Sequence, residues 1–255
     1  MRENLFFVEI SQINKDLANK FAFILNGVKK EEIAIALKIN GLEKRLNELI
    51  DSQKGANLQA LVHAKGDKYV LGWKNIDRYQ FASNLQSKVK TSLVHDTKAL
   101  VKNNAILVQN MISFINAPKA GVQISACLAL KQDFFVLDSI NQLKNKSDYD
   151  TKFVLAIINS KLVSWYIYHF ILAHDKKVVY FDLSIIEKIP FPNLDLNDPN
   201  DKNKYDSMIE KVENLSKWYK QKNKFAAEIS RTEPELDKLV FDLYGLNEEE
   251  IKFLK

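Results

Sequence analysis

The amino-acid sequence predicts an α+β fold, in which a mostly antiparallel β region wraps round one buried helix and further helices flank it. Three observations carry that prediction. Residues 149–172 are apolar on nearly every helical face, with Phe153, Leu155, Ile157, Ile158, Leu162, Trp165, Ile167 and Phe170 among them, and such a helix must be enclosed. Residues 58–138 break into short apolar runs separated by turn residues, which is the pattern of strands. Both ends of the chain repeat apolar residues at helical spacing.

In chain order, Ser11 can cap a helix carrying Ile13, Leu17, Phe21, Ile24 and Leu25 and ended by Gly27. A second amphipathic helix is expected over 31–51, with Ile33, Leu37, Leu42, Leu46, Leu49 and Ile50 on its apolar side. Residues 58–63 and 68–71 flank the turn signal Lys65-Gly66-Asp67 and read as a hairpin. Further strands are expected at 105–109, 121–130 and 134–138, with Asn116-Ala117-Pro118-Lys119 as a connecting turn. Residues 83–104 are basic and carry no assigning pattern.

The central apolar helix should run for roughly six turns before a charged corner at His174-Asp175-Lys176-Lys177. Residues 178–181 and 189–191 are candidate edge strands, ended by Pro190 and Pro192. The polar run NLDLNDPNDKNK is the clearest boundary. Beyond it come one long helix over 204–231, a short one over 235–244 stopped by Gly245, and a last turn over 248–254 capped by Asn247. The chain thus divides into a helical connector (1–54), an α+β domain (55–193) and a helical C-terminal region (194–255).

An apolar content of 46% and a charged content of 27% are ordinary for a globular protein. A single cysteine, Cys127, excludes an intramolecular disulfide framework and a thiolate zinc cluster, and fits a reducing cytoplasm. Its apolar neighbours mark it as a small buried side chain. The N-terminus lacks the pattern of a secretion signal. Asn159-Ser160-Lys161 near the middle of the apolar run argues against a membrane span. The net charge of +5 is mild evidence for a polyanionic partner.

No phosphate-binding loop, dinucleotide fingerprint, zinc-protease motif or nucleophile elbow is present. His63, His95, His169 and His174 do not have metal-ligand spacing; the last two, five residues apart, fall on different helix faces. No catalytic and no metal-binding residue is therefore expected. What remains is recognition chemistry. GWKNIDRY, residues 72–79, gathers Trp73, Lys74, Asn75, Arg78 and Tyr79. Arg can pair with guanine, Asn with adenine, and Lys can hold phosphates. Lys65, Lys68, Gln109, Asn110, Asn116, Lys119, Gln123, Lys176 and Lys177 add polar groups at strand ends or loops.

Four segments in this order resemble one known family. They are GWKNIDRY; ILVQNMISFINAPKAGVQISACLAL (106–130); FVLAIINSKLVSWYIYHF followed by Ile189-Pro190-Phe191-Pro192; and LDKLVFDLYGLNEEEIKFL (236–254). Together they are similar to the C-terminal target-recognition domain of TaqI-like adenine DNA methyltransferases and type IIG restriction-modification enzymes, and more distantly to type I specificity subunits. The resemblance covers about residues 55–255. It implies sequence-specific recognition of double-stranded DNA, with Arg78 and Lys74 leading a contact set of Lys68, Asn75, Tyr79, Lys119, Gln123, Lys176 and Lys177. The family's catalytic half carries a cofactor-binding glycine motif and an Asn/Asp-Pro-Pro-aromatic motif, and no two prolines here are adjacent. The resemblance therefore implies a reader without its catalyst. No cofactor is expected in this chain, and S-adenosylmethionine would belong to an associated methyltransferase or endonuclease domain or subunit. Two alternatives remain: a helical protein-interaction module with incidental basic charge, and a divergent methyltransferase or nuclease.

Overall fold

A helix apolar on every side needs walls, and the chain supplies them from both of its directions. The computed structural model describes residues 28–82, 85–116, 120–129, 133–174 and 179–254, and it is α+β. The helix expected between Ser11 and Gly27 lies outside the described residues.

The segment 31–51, expected as one helix, is three elements: α1 (Lys30–Asn40), α2 (Leu46–Leu49) and strand β1 (Ile50–Lys54). The turn between the helices is held by Arg45, which is buried. Its Nη2 donates to the backbone and side-chain oxygens of Asn40 at 2.8 and 3.0 Å, covering the end of α1. Ile50 onward is extended because it pairs with a distant strand, and that tertiary contact overrides the helical spacing.

Four antiparallel strands form the main sheet, in the order β1, β9 (Ile140–Asn145), β4 (Ala105–Gln109) and β7 (Ala126–Leu128). Ile106 stands opposite Leu143 on one side and Leu128 on the other. These residues and Val108 face the core around the central helix. Leu107, Cys127 and Ile140 point the other way, into a second apolar layer. Covering both faces explains why β4 reads as an unbroken apolar run.

That second layer is closed by a three-stranded outer sheet of β3 (Lys88–Val89), β2 (Lys68–Leu71) and β8 (Phe134–Val136), in which β2 is antiparallel to β3 and parallel to β8. Leu71, Phe134 and Val136 face the main sheet, while Val70, Val89 and Phe135 cover a third, smaller core with Leu58 and Ala99. The expected hairpin between 58–63 and 68–71 does not form. Gln59–Leu61 is a 3₁₀ turn, and His63 makes a single bridge, to Lys88. Gly66 is the reason: a Cβ there would lie 2.4 Å from the Val89 nitrogen, so β3 packs directly onto the turn and takes the partner's place.

The strand expected over 121–130 is two. β6 (Gly121–Gln123) pairs with β5 (Ser113–Ile115) in a small hairpin, and the chain then crosses to β7. Strand β9 had no counterpart in the sequence reading. The expected edge strands near 180 and 190 reduce to single bridges, Met111 with Tyr180 and Arg45 with Pro190, on either side of the short helix α5 (Leu183–Ile186).

The central rod is not continuous. α3 (Thr151–Asn159) and α4 (Lys161–Tyr166), the latter running on into a π-turn at Ile167–Ile171, meet at a 46° bend. Asn159, fully buried, directs its amide at β7, with Nδ2 donating to the Ala126 carbonyl at 2.9 Å and Oδ1 accepting the Ala126 N–H at 3.1 Å. It thereby fills both backbone positions that another strand would fill. Ser160 then restarts the helix, its Oγ accepting from the Val163 N–H at 3.2 Å. Among the described residues no single helix is long and apolar enough to cross a membrane.

At the far end of the rod the two histidines assigned to separate faces meet. His174 Nε2 lies 3.0 Å from His169 Nδ1, because the π-turn and the positive φ of Ala173 and His174 curl the chain back. Burial, with His174 alongside, pushes the His169 pKa down to about 4.

The C-terminal region is a helical hairpin, α6 (Pro199–Trp218) and α7 (Ala226–Leu243), followed by α8 (Glu248–Phe253). The single helix expected over 204–231 is broken because residues 220–224 (KQKNK) have no apolar group to bury. The short helix expected over 235–244 is the second half of α7. Gly245 stops it at φ 69°, and Asn247 caps α8 through the Glu250 N–H at 2.9 Å. The Ile-Pro-Phe-Pro segment ties these ends together. The Ile189 carbonyl accepts the Leu46 N–H, the Phe191 N–H donates to Lys44, and Tyr244 Oη donates to Pro190 at 2.8 Å. The Phe191 ring packs among Tyr149 and Phe153.

Replacing Asn159 by Ala strands the Ala126 N–H in the core, while the Ala126 carbonyl keeps the Tyr79 N–H. It should lower the unfolding free energy by about 1–3 kcal/mol, read as a shifted urea midpoint; an unshifted midpoint would contradict this role.

A candidate nucleic-acid interface on the outer sheet

Strand β2 leaves the outer sheet at Leu71 and turns at once. The 3₁₀ turn Trp73–Asn75 is held by side-chain bonds to its flanking backbone. The Gly72 N–H donates to Asn75 Oδ1 at 2.9 Å, and the Trp73 N–H donates to Ser139 Oγ at 3.2 Å. Gln109 Nε2 donates to the carbonyls of Trp73 and Ile76, at 3.0 and 2.9 Å. On this fixed backbone the Trp73 ring is 43% exposed, and Lys74 Nζ lies 5.5 Å from its centroid.

Beside the turn is a concavity of about 550 Å³ whose polar walls are Gln59, Asn75, Gln86, Ser87 and Ser139, with Lys74 at its edge. Among the described residues none of its walls is a carboxylate. On the same sheet Tyr69 is 41% exposed and stands cross-strand from Lys88, whose Nζ is 4.6 Å from the ring centroid. Lys68 Nζ lies 4.7 Å over Phe135. Residues 54–102 carry nine lysines and arginines against three aspartates and no glutamate, while the whole chain nets +5. The basic excess therefore belongs to this lobe, and the remainder is close to neutral.

The second half of GWKNIDRY turns inward. Tyr79 is buried at φ 61°, and its N–H donates to the Ala126 carbonyl at 2.8 Å. The Arg78 side chain is 12% exposed. Its Nε donates to Glu233 Oε1 at 2.8 Å and its Nη1 to the Asn159 carbonyl at 2.8 Å. Tyr219 Oη donates to the same Glu233 oxygen at 3.0 Å. Burial opposes the guanidinium charge, but neighbouring Tyr79 and Glu233 outweigh it, and the Arg78 pKa is raised. Arg78, expected first among DNA contacts, is thus engaged inside the protein, strapping this segment to the C-terminal hairpin.

Gln123 is exposed but lies on a different cavity, of about 710 Å³, shared with Arg78, Lys161, Trp165, Glu233 and Asp237. Burial raises the Asp237 carboxyl to about 6, against the Lys161 N–H that it accepts at 2.8 Å. Lys119, Lys176 and Lys177 lie outside the described residues. Cys127 is buried, and burial pushes its thiol up. Among the described residues no group of three or more His, Cys, Asp or Glu side chains is placed to hold a metal ion.

No protein-family model matches this chain, and no curated protein matches it. Among solved structures, a chain from work on the complex assembly and conformational transition of the type I R-M system is similar, with a TM-score of 0.41 and 10% identity. The match covers 92% of this chain and 55% of that one, so the present chain spans about half of its neighbour's length.

Of the expected contact residues, the fold brings Lys74 and Asn75 to the concavity, sets Lys68 nearby on β2, and turns Arg78 and Tyr79 inward. Gln59, Gln86, Ser87 and Ser139 join the concavity, whereas Tyr69 and Lys88 pair on the other side of the sheet from Val70. They come from separate stretches, and no local spacing links them. Gln109, a polar group at the end of β4, clamps Trp73 from 36 residues away, a contact that no local spacing signals.

Two outcomes follow from the inner strap. Arg78→Ala leaves Glu233 without its ion-pair partner and should destabilise the fold by about 3 kcal/mol, measured by chemical denaturation. For Asp237 the folded pKa of about 6 stands above the ordinary 3.8, so between those values the folded chain holds a proton that the unfolded chain releases. Wild-type stability relative to Asp237→Asn should therefore rise as the pH falls from 7 to 5. Thermal melts of the pair across that range check the sign.

Proposed function

We propose that this chain is a DNA-recognition component of restriction-modification type, which binds duplex DNA through its outer sheet and directs a catalytic partner. The observation that carries the reading is the backbone-locked Trp73–Lys74–Asn75 turn, set beside a carboxylate-free concavity on the lobe that holds the basic excess. The ordered likeness of four sequence segments to target-recognition domains supports it.

Lys68, Lys74 and Lys88 rest over aromatic rings and can swing to phosphates, giving salt-dependent affinity. The turn itself is short and stiff, suited to entering a groove. Asn75 Oδ1 is engaged by Gly72, which leaves its Nδ2 as a donor to a base edge. Gln59 and Gln86 offer whole amides, the side-chain type that pairs with adenine. Lys119, Lys176, Lys177 and Gln123 are further candidates for contact with DNA. Arg78 and Tyr79 act by holding the segment in place. Methyl transfer or strand cleavage belongs to the partner, a TaqI-like or type IIG methyltransferase or endonuclease domain or subunit, and S-adenosylmethionine is bound there.

A polarisation titration with a mixed-sequence duplex across a salt series tests this reading. Wild type should bind with a steep salt dependence, and Lys68→Ala and Lys74→Ala should each flatten the slope by about 1. Absence of salt-dependent binding would refute the reading.

A further inference from the structure

The concavity beside Trp73 has walls whose chemistry narrows what it can take. A free cation would need carboxylates, and none lines it. A phosphate held as the main ligand would need several cations converging, and Lys74 is the one cationic residue among the described walls. An apolar ligand would leave Gln59, Asn75, Gln86, Ser87 and Ser139 facing it unpaired. What fits amides and hydroxyls next to an aromatic wall is a flat, uncharged ring with hydrogen-bonding edges.

Two further observations agree. The side chains of Gln59, Gln86 and Ser87 make no hydrogen bond within the described protein, so their donors and acceptors are open to a ligand. The Trp73 backbone, in contrast, is fixed: its N–H and C=O are both clamped by side chains from other elements, Ser139 and Gln109. A large ring carried on a backbone fixed in this way meets a ligand with little backbone ordering left to do. Every nucleobase offers a face for such a ring, and stacking of this kind tolerates any sequence.

We propose that Trp73 and the adjoining concavity hold one nucleobase removed from its base stack, with Lys74 on the neighbouring phosphate. The inference rests on the reading that this face meets DNA, and it goes beyond contact with base edges inside an intact groove. Gln59, Gln86 and Asn75 then address the hydrogen-bonding edge of that base, while Trp73 covers its face.

The test uses the full chain with labelled dA12 and dT12 single strands, their duplex, and heparin as a polyanion without bases. Difference spectra against Trp73→Phe isolate the Trp73 emission from that of Trp165 and Trp218. Single strands should quench Trp73, and Trp73→Ala should weaken single-strand binding by about 5- to 150-fold while eluting from heparin at the wild-type salt concentration. Trp73→Phe should keep most of the affinity, and Lys74→Ala should weaken binding to all the polyanions. Equal single-strand affinity of Trp73→Ala and wild type overturns the proposal, as does an equal loss on heparin. Duplex binding without base-dependent quenching removes this site and leaves the duplex reading standing. Single-strand quenching without duplex binding does the reverse.

Discussion

The amide of Asn159 is where the parts of this molecule are joined. Its side chain completes the edge of β7 through both polar groups of Ala126, and its carbonyl accepts Arg78. Arg78 in turn holds Glu233 on the C-terminal hairpin. Helix, sheet, the GWKNIDRY segment and hairpin therefore share one buried polar joint, inside a core where an unpaired amide is costly. The bend in the central rod follows from the same requirement. A straight helix would bond its own Asn159 carbonyl and carry the side chain past β7.

GWKNIDRY divides its work at Ile76. The first half is clamped from behind, by Ser139 and Gln109, and presents a tryptophan and a lysine outward. The second half enters the protein, and its arginine is strapped to Glu233. The segment therefore positions an exposed tip by burying its own tail. The ordering of the backbone at that tip is therefore already done in the free protein.

The layering of the sheets explains where the charge went. The main sheet is covered on one face by the rod and on the other by the outer sheet, so its inner strand β4 has almost no surface to offer. The outer sheet buries Leu71, Phe134 and Val136 against it and Val70, Val89 and Phe135 in the smaller core, while Lys68 and Lys88 on its strands rest over aromatic rings. A modest net charge thus becomes concentrated on one lobe.

Read alone, the sequence determined the α+β class, strand β4, the closed environment of the apolar helix, the buried Cys127 and the stop at Gly245. Each follows from local composition or from a conformation that few residues tolerate. The pairing of β1 with β9, the pairing of β2 with β8, and the break at Asn159 were decided by partners remote in sequence, which periodicity does not register. The same holds for the candidate site. Lys74 and Asn75 were legible because they sit together in one motif, whereas Gln59, Gln86 and Ser139 became neighbours only through folding. Arg78 shows the limit most sharply: its charge and spacing were plain in the chain, but whether it faced solvent or Glu233 depended on a helix more than a hundred residues away.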